Sequence, residues 1–339
     1  MHLTIVGAGA IGGITGAHLA RAGHSVLLVD RNRAHVEAIR ARGLEIVGAA
    51  RFTVRVPACL PEEVRGPLGA VLLAVKTLHT REALAPLVPL LAPDGYVVSM
   101  QNGLEEETIA ALVGRERTVG AFLTFGGYYE GPGRLVYSGP ASLRVGELDG
   151  RITPRVQTLA RVLSAFHPCE PTANITGYLW GKLILGTIYF ATAVVDADVV
   201  DILAQPAARA VLAALATEAL AVAEALGVRV EAVDGFDPRA VRLDARGAPV
   251  DPAAAQAAWA AQRVYWERGL ARRTGVWRDL AIHRRPTEAG PILGALLAAA
   301  DRAGCAVPRV RALVRVIADL EAGRGTLGWA NLDVVAAAR

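Results

Sequence analysis

Leu3-Thr4-Ile5-Val6-Gly7-Ala8-Gly9-Ala10-Ile11-Gly12-Gly13 stands at the head of the chain. An apolar, β-branched run enters three glycines at G-x-G-x-x-G spacing, and an amphipathic stretch of helical period follows as far as Gly23. In a strand–turn–helix unit the first glycine permits the tight turn and the second lets a pyrophosphate approach the backbone. The third lets helix and strand touch, and the helix N-terminus offers its N–H groups to the anion. A second β-branched run, Ser25–Val29, ends in Asp30, where such units read the adenosine ribose. Strand, helix and acid in this order make a dinucleotide site, with Gly7, Gly9, Ala10, Ile11 and Gly12 against the phosphates. Asp30 fits the ribose diol of NAD, whereas Arg31 beside it fits the 2′-phosphate of NADP. The two residues pull in opposite directions.

Working outward, Phe52–Val56, Ala70–Val75 and Tyr96–Ser99 also read as strands separated by helices or loops, the alternation of a mostly parallel sheet. Thr118–Leu123, Leu135–Tyr137 and Ser142–Val145 follow at short spacing, with glycine-rich turns between the first two, and read as antiparallel additions at one edge. Pro154 starts a helix that ends near Phe166. Beyond Asn174 the strand signal gives way to Ala/Leu-rich helical periodicity over Tyr178–Val195, Pro206–Leu226, Pro252–Arg272, Thr287–Ala303 and Pro308–Glu321. Asp251-Pro252 supplies an N-cap and N1 proline, and Gly227 and Gly304 sit at C′ positions. Asp234–Asp251, rich in Asp, Arg, Gly and Pro, reads as an exposed connection. The expected architecture is α/β: a Rossmann-type doubly wound sheet over residues 1–172 and an all-α domain over 173–339. At roughly 150 residues per domain, 339 residues suit two.

Composition removes several classes of function. An apolar content of 53% fills sizeable cores, and a formal net charge of +4 spread without like-charge runs offers nucleic acid no basic stripe. Cys59, Cys169 and Cys305 are odd in number and far apart, which argues against a disulfide framework and a zinc site. No paired histidine spacing points to a metal, and no GxSxG or Cys/His pattern to a nucleophilic hydrolase. Leu183–Val195, the longest apolar stretch, meets Asp196 and Asp198 before the roughly 20 residues a membrane span needs. No signal-like segment precedes the first strand, so the expectation is a cytoplasmic protein without membrane or nucleic-acid partners. Trp259, Tyr265, Trp266 and Trp277 read as packing for helices or a subunit contact. The apolar helices are compatible with a homodimer.

Of the 36 basic residues only two, Lys76 and Lys182, are lysine. A coding bias towards arginine replaces lysine wherever any cation suffices. The survivors are therefore candidates for work that needs an ammonium able to surrender a proton, which arginine does not do. Ala74-Val75-Lys76-Thr77 and Gln101-Asn102-Gly103 each follow a strand at the carboxyl edge of the sheet, where doubly wound folds hold ligands. Asn102 there either contacts the nicotinamide portion or the substrate carbonyl, or belongs to a turn that uses Asn-Gly for positive φ.

In these residues the sequence resembles the ketopantoate reductase (2-dehydropantoate 2-reductase) family. Gly7–Gly13, Ala74-Val75-Lys76, Gln101-Asn102-Gly103, Trp180-Gly181-Lys182-Leu183 and Arg284-Arg285-Pro286-Thr287-Glu288 occur in that family's order and approximate spacing. The similarity covers most of the chain apart from a variable stretch near 230–265. It implies NADPH-dependent reduction of a 2-oxo acid, ketopantoate to pantoate, in pantothenate biosynthesis. It also implies Lys182 as catalytic lysine and Glu288 as active-site glutamate, with Lys76, Asn102 and Arg31 as cofactor or active-site contacts. Chemically, hydride addition to a ketone builds negative charge on oxygen, and a nearby ammonium stabilises that charge and delivers the proton.

Three positions depart from the family pattern. Gly186 and Phe190 stand where the family usually carries asparagines that hold the substrate's hydroxyl and carboxylate, and Val276 stands where serine is frequent, with Thr274 as a nearby substitute. Arg278, His283, Arg284 and Arg285 form either a carboxylate-binding group or a solvated basic face. The expected activity is therefore an NADP-preferring 2-oxo acid reductase with NAD as the other cofactor choice. The alternatives are a relative acting on another ketone, imine or secondary alcohol, and a non-catalytic dinucleotide sensor.

Overall fold

A computed structural model of the chain describes residues 2–139, 142–268 and 271–339, which divide into two compact units, Met1–Ile175 and Thr176–Arg339. The N-terminal unit contains strands β1 (His2–Val6), β2 (Ser25–Val29), β3 (Leu44–Gly48), β4 (Phe52–Val54), β5 (Ala58–Cys59), β6 (Leu68–Leu73), β7 (Leu91–Ser99), β8 (Thr118–Leu123), β9 (Gly127–Gly131), β10 (Arg134–Tyr137), β11 (Leu143–Glu147) and β12 (Cys169–Pro171). Its helices are α1 (Ala10–Arg21), α2 (Arg33–Arg42), α3 (Thr80–Leu84), α4 (Glu106–Val113) and α5 (Pro154–Leu163).

Eight strands form one sheet in the order β12-β11-β8-β7-β6-β1-β2-β5. Both faces are covered, so the central strands are apolar throughout instead of alternating with polar residues. Leu3, Ile5, Leu28, Leu72 and Val98 enter the core on one face, with Ile14 and Ala17 of α1 and Val156 and Leu159 of α5. Val6, Val29, Val71, Leu73 and Val97 enter the other, with Leu84 of α3 and Ile109 of α4. β1 pairs in parallel with β2 on one side and β6 on the other, and β6 in parallel with β7. The strand order reverses at β1, and the segments after β1, β2, β6 and β7 leave the sheet at one edge, the usual ligand position of such sheets.

The antiparallel edge expected from the sequence is only partly present. β11 runs antiparallel to β8, but β10 leaves this sheet and pairs in parallel with β3. It lies in a second, four-stranded sheet of order β4-β3-β10-β9, which also takes the strand expected at Phe52–Val56. Gly13 explains this docking: a Cβ there would lie 2.5 Å from Leu135 Cδ1, so the bare face of α1 accepts β10.

The second unit is helical: α6 (Ile175–Thr192), α7 (Val199–Ala204), α8 (Pro206–Ala225), α9 (Pro252–Arg268), α10 (Gly275–Arg278), α11 (Ala289–Ala303), α12 (Pro308–Glu321) and α13 (Ala330–Ala337). α8 is long and apolar enough to cross a membrane by composition, yet 61% of its apolar window is buried within the protein, as in a core helix. Asp251 caps α9 by accepting the Ala254 N–H at 2.9 Å. The buried Glu218 of α8 accepts the N–H groups of Arg309 and Val310 at 3.1 and 3.0 Å and so closes the start of α12. The helix expected to reach Arg272 is described to Arg268; Gly269 and Leu270 lie outside the described residues.

The connection over 234–251 is not wholly exposed. Phe236 and Val241 are fully buried, and Phe236 packs against Trp259 with ring centres 6.3 Å apart. Its charged residues face water while two apolar ones anchor it, a split that composition averages away. α7, α10 and α13 are too short for a helical period to stand out in the sequence.

Candidate active site

The turn from β1 to α1 is built by its glycines. Gly7 has φ +95°, and a Cβ on it would lie 2.8 Å from Val75 N, so this turn is pressed against the segment after β6. A Cβ on Gly12 would lie 2.1 Å from Gly7 O and 2.9 Å from Ile5 Cγ2, so helix and strand touch there. Gly9 is different: a Cβ on it would meet nothing within 4 Å. Its backbone, at the N-cap of α1, faces open space. No side chain caps this helix and no acidic residue lies in its first turn, leaving the leading N–H groups of Ala10 and Ile11 for an anion. These features fit the pyrophosphate of a dinucleotide.

Asp30 is held at both oxygens. Oδ2 accepts the Ala8 N–H at 2.8 Å and Oδ1 the Asn32 N–H at 2.9 Å, which fixes the carboxylate between the glycine-rich turn and the start of α2. Arg31, expected to reach for a 2′-phosphate, has its guanidinium 3.2 Å from His79 Nε2 and 3.8 Å from a Glu82 oxygen. His79 lies 3.3 Å from the same Glu82 carboxylate. The Arg31 charge is therefore shared with an acid.

His35 was not foreseen as part of this site. Its buried ring bonds through Nε2 to the Ala8 carbonyl at 2.9 Å and accepts the Gly133 N–H on Nδ1 at 2.9 Å. Because Nδ1 accepts, the proton sits on Nε2 and the imidazole is neutral. The glycine-rich turn is thus gripped at Ala8 from both sides, its N–H by Asp30 and its carbonyl by His35. The only sequence signal was a histidine in the first turn after the N-cap Asn32, whose Oδ1 accepts the His35 N–H at 3.2 Å.

Lys76 is exposed after β6, at the N-cap of a short turn spanning Thr77–His79. Gln101 is buried, and its Nε2 donates to Val75 O at 3.0 Å and Thr80 Oγ1 at 2.8 Å, tying the segment after β7 to that after β6. Gln101 is a brace. Asn102 is exposed, and it is Gly103, at φ +84°, that takes the left-handed conformation of this turn. Gly7, Gly9, Gly12, Asp30, Arg31, Lys76 and Asn102 all lie at the carboxyl edge of the parallel strands.

Lys182 and Glu288 belong to the helical unit. Lys182 is the one charged side chain on α6 and is partly exposed. Glu288 is the N-cap residue of α11. Its neighbour Thr287 is buried and bonds Glu321 Oε1 through both N (2.8 Å) and Oγ1 (2.7 Å), while Thr287 Oγ1 accepts the Ala289 N–H at 3.1 Å. The start of α11 is thereby locked to the end of α12. Upstream, α10 runs into a single π turn, Asp279–His283, closed by Arg284 in the left-handed region at φ 49°. A non-glycine residue held there costs on the order of 1–3 kcal/mol, and both features concentrate at functional sites.

Thr274, the expected substitute for the absent serine, is buried at the N-cap of α10. Its hydroxyl oxygen accepts the Trp277 N–H at 3.1 Å and caps α10. Arg278, His283, Arg284 and Arg285 are exposed, and Arg285 pairs with Asp279 at 2.7 Å. Trp277 lies beneath the Arg273 guanidinium, 4.1 Å from ring centre to cation. Among the described residues no group of three or more His, Cys, Asp or Glu side chains gathers to hold a metal ion.

Residues 3–150 match the family model described as "Ketopantoate reductase PanE/ApbA", and residues 174–321 match "Ketopantoate reductase PanE/ApbA C terminal". A 2-dehydropantoate 2-reductase of Mesorhizobium japonicum is 30% identical over 256 residues, covering 68% of this chain and 78% of that protein. The structure of a PanE/ApbA family ketopantoate reductase from Ralstonia eutropha JMP134 has a TM-score of 0.78 at 29% identity, over 96% of this chain and 99% of that one. D-mandelate dehydrogenase, solved with NADH and anilino(oxo)acetate, has a TM-score of 0.80 at 22% identity, over 95% and 99% of the two chains, and shares the fold.

Proposed function

Because the chain belongs to the ketopantoate reductase family, and is thereby an oxidoreductase acting on a CH–OH/C=O group, we propose that it reduces a 2-oxo acid to the 2-hydroxy acid with Lys182 as proton donor. A bound dihydronicotinamide dinucleotide supplies the hydride. As negative charge grows on the carbonyl oxygen, the Nζ ammonium of Lys182 stabilises it and then delivers the proton. Glu288 orients that ammonium or bonds the substrate, and Lys76 and Asn102 contact the nicotinamide half of the cofactor. The open backbone at Gly9 and the first turn of α1 take the pyrophosphate.

The observation that carries the reading is the place of Lys182: one of two lysines in the chain and the single charged residue in the α6 sequence, on the partly exposed side of that helix. Its test is Lys182→Ala. Turnover of 2-oxo acids should be lost while dinucleotide affinity stays within about twofold of wild type; unchanged turnover removes Lys182 from the mechanism.

For the cofactor, the reading favours NADH, against the NADP preference expected from Arg31. A ribose diol donates two hydrogen bonds to the Asp30 carboxylate, which two backbone N–H groups hold in place. A 2′-phosphate there meets a fixed like charge, and exposed Arg31, which would offset it, is only weakly shared with Glu82 at 3.8 Å.

A further inference from the structure

We infer that the oxo acid reduced by this protein carries a bulky apolar side chain without a hydroxyl group. The inference rests on the reductase reading above and comes from the side of α6 that solvent reaches. From Leu179 to Ala191 the helix buries nearly every residue; Lys182, Gly186, Tyr189 and Phe190 are the partly open ones. Tyr178 precedes them by one turn, so Tyr178, Lys182, Gly186 and Phe190, four apart, form a single stripe. A ketone whose oxygen meets the Lys182 ammonium has Gly186 and Phe190 along the same stripe.

Among the described residues, the side chains of that stretch offer room and no uncommitted hydrogen-bond donor. A Cβ on Gly186 would meet a single atom within 4 Å, Phe190 Cε2 at 3.9 Å, so the glycine is a notch floored by backbone and flanked by an aromatic ring. The other polar side chains of this stretch are committed elsewhere. The Thr187 hydroxyl is buried and donates to Leu183 O at 2.9 Å. The Tyr189 hydroxyl donates to Gln262 Oε1 at 2.5 Å, and its ring meets Trp266 edge-on at 5.2 Å. A substrate hydroxyl laid along Gly186 and Phe190 gives up water and finds no partner among these side chains, whereas a phenyl or tert-butyl group loses nothing and buries its area.

The experiment compares kcat/KM for four acids with NADH and NADPH: phenylglyoxylate, trimethylpyruvate, ketopantoate and pyruvate. Trimethylpyruvate differs from ketopantoate only in lacking the terminal hydroxyl. The expected order places trimethylpyruvate above ketopantoate by about 10- to 100-fold, the range an apolar pocket achieves against an added hydroxyl, and phenylglyoxylate above pyruvate. Calorimetric titration of the same acids into protein saturated with oxidised dinucleotide, where no hydride is available, should give the same order of affinities.

Gly186→Asn, which places an amide in the notch, should raise the ketopantoate-to-trimethylpyruvate ratio at least about tenfold; Gly186→Ala, whose methyl the notch accommodates, controls for bulk. Ketopantoate outrunning trimethylpyruvate, or a ratio unmoved in folded Gly186→Asn, overturns the inference and leaves the reductase reading standing. Failure of all four acids with both cofactors removes the reductase reading itself, and this inference with it.

Discussion

His35 donates its Nε2 proton to the carbonyl oxygen of Ala8 across 2.9 Å, from a side chain buried beneath the glycine-rich turn. Its other nitrogen accepts from Gly133, so one neutral ring ties the turn between β1 and α1 to the segment between β9 and β10. Replacement by phenylalanine keeps the bulk and strands one buried acceptor and one buried donor. The expected cost is about 1–3 kcal/mol of stability, read from urea unfolding. A several-fold rise in dinucleotide Kd should accompany it, read by quenching of protein fluorescence, with His35→Gln intermediate on both scales. Stability lost with Kd untouched would confine His35 to the fold.

Asp30 and Arg31 make opposed predictions about cofactor. If Asp30 reads the diol, Asp30→Ala should raise the Kd for NADH by at least about tenfold, the low end for one hydrogen bond to a charged group, and change that for NADPH little or lower it. Glu82→Gln removes the acid that faces Arg31 at 3.8 Å and should improve NADPH binding several-fold. Wild-type protein binding NADPH more tightly than NADH, with Arg31→Ala abolishing the difference, would restore the arginine as a phosphate clamp.

Legibility divides along the range of the forces involved. The dinucleotide unit is visible in the sequence because its geometry is local: the turn, the close contact of Gly12 with Ile5, and the acid at the end of β2 lie within 30 residues. The all-helical second half is visible for the same reason, since apolar period and proline-led starts are local signals. The partner of β10 is not. Leu135 reads as a strand residue in either sheet, and only the packing of its side chain over Gly13, more than a hundred positions away, settles which. The same holds for His35 and Gln101, whose polar atoms find partners in other segments. Thr274 adds a local role that motif spacing hides: its hydroxyl oxygen accepts the Trp277 N–H and caps the helix that begins at the next residue.

Acid should loosen the N-terminal unit through His18. Its ring packs among Phe52, Tyr137 and Phe166 with centres 4.9, 5.6 and 4.6 Å away, and its buried Nε2 has no hydrogen-bond partner among the described residues. Burial first, and then the charges of His167 and Arg21, push its pKa down from 6.5 to about 4. Between those values the unfolded chain binds the extra proton, so stability is full above pH 6.5 and falls as pH drops towards 4. The loss is roughly 2 kcal/mol once partial access of solvent is allowed for. His18→Phe should flatten the dependence of the urea midpoint on pH across this window. An unchanged slope would assign the acid sensitivity to other groups.

Proton delivery and charge stabilisation by Lys182 are separable. Arginine keeps the cation but does not release a proton near neutrality, so Lys182→Arg retains part of the electrostatic effect and loses the acid. Positioned acid catalysis contributes about 10²–10⁴ in rate, and kcat/KM of Lys182→Arg should fall by at least about 100-fold, with dinucleotide Kd held within about twofold. Lys182→Ala should be slower still. Added primary amines should rescue Lys182→Ala, where the side-chain volume is vacant, with rates that track the amine's pKa, and should leave Lys182→Arg unaffected. Equal activity of the arginine variant and wild type would make charge alone sufficient and move the proton to another donor, with Glu288 the first residue to replace.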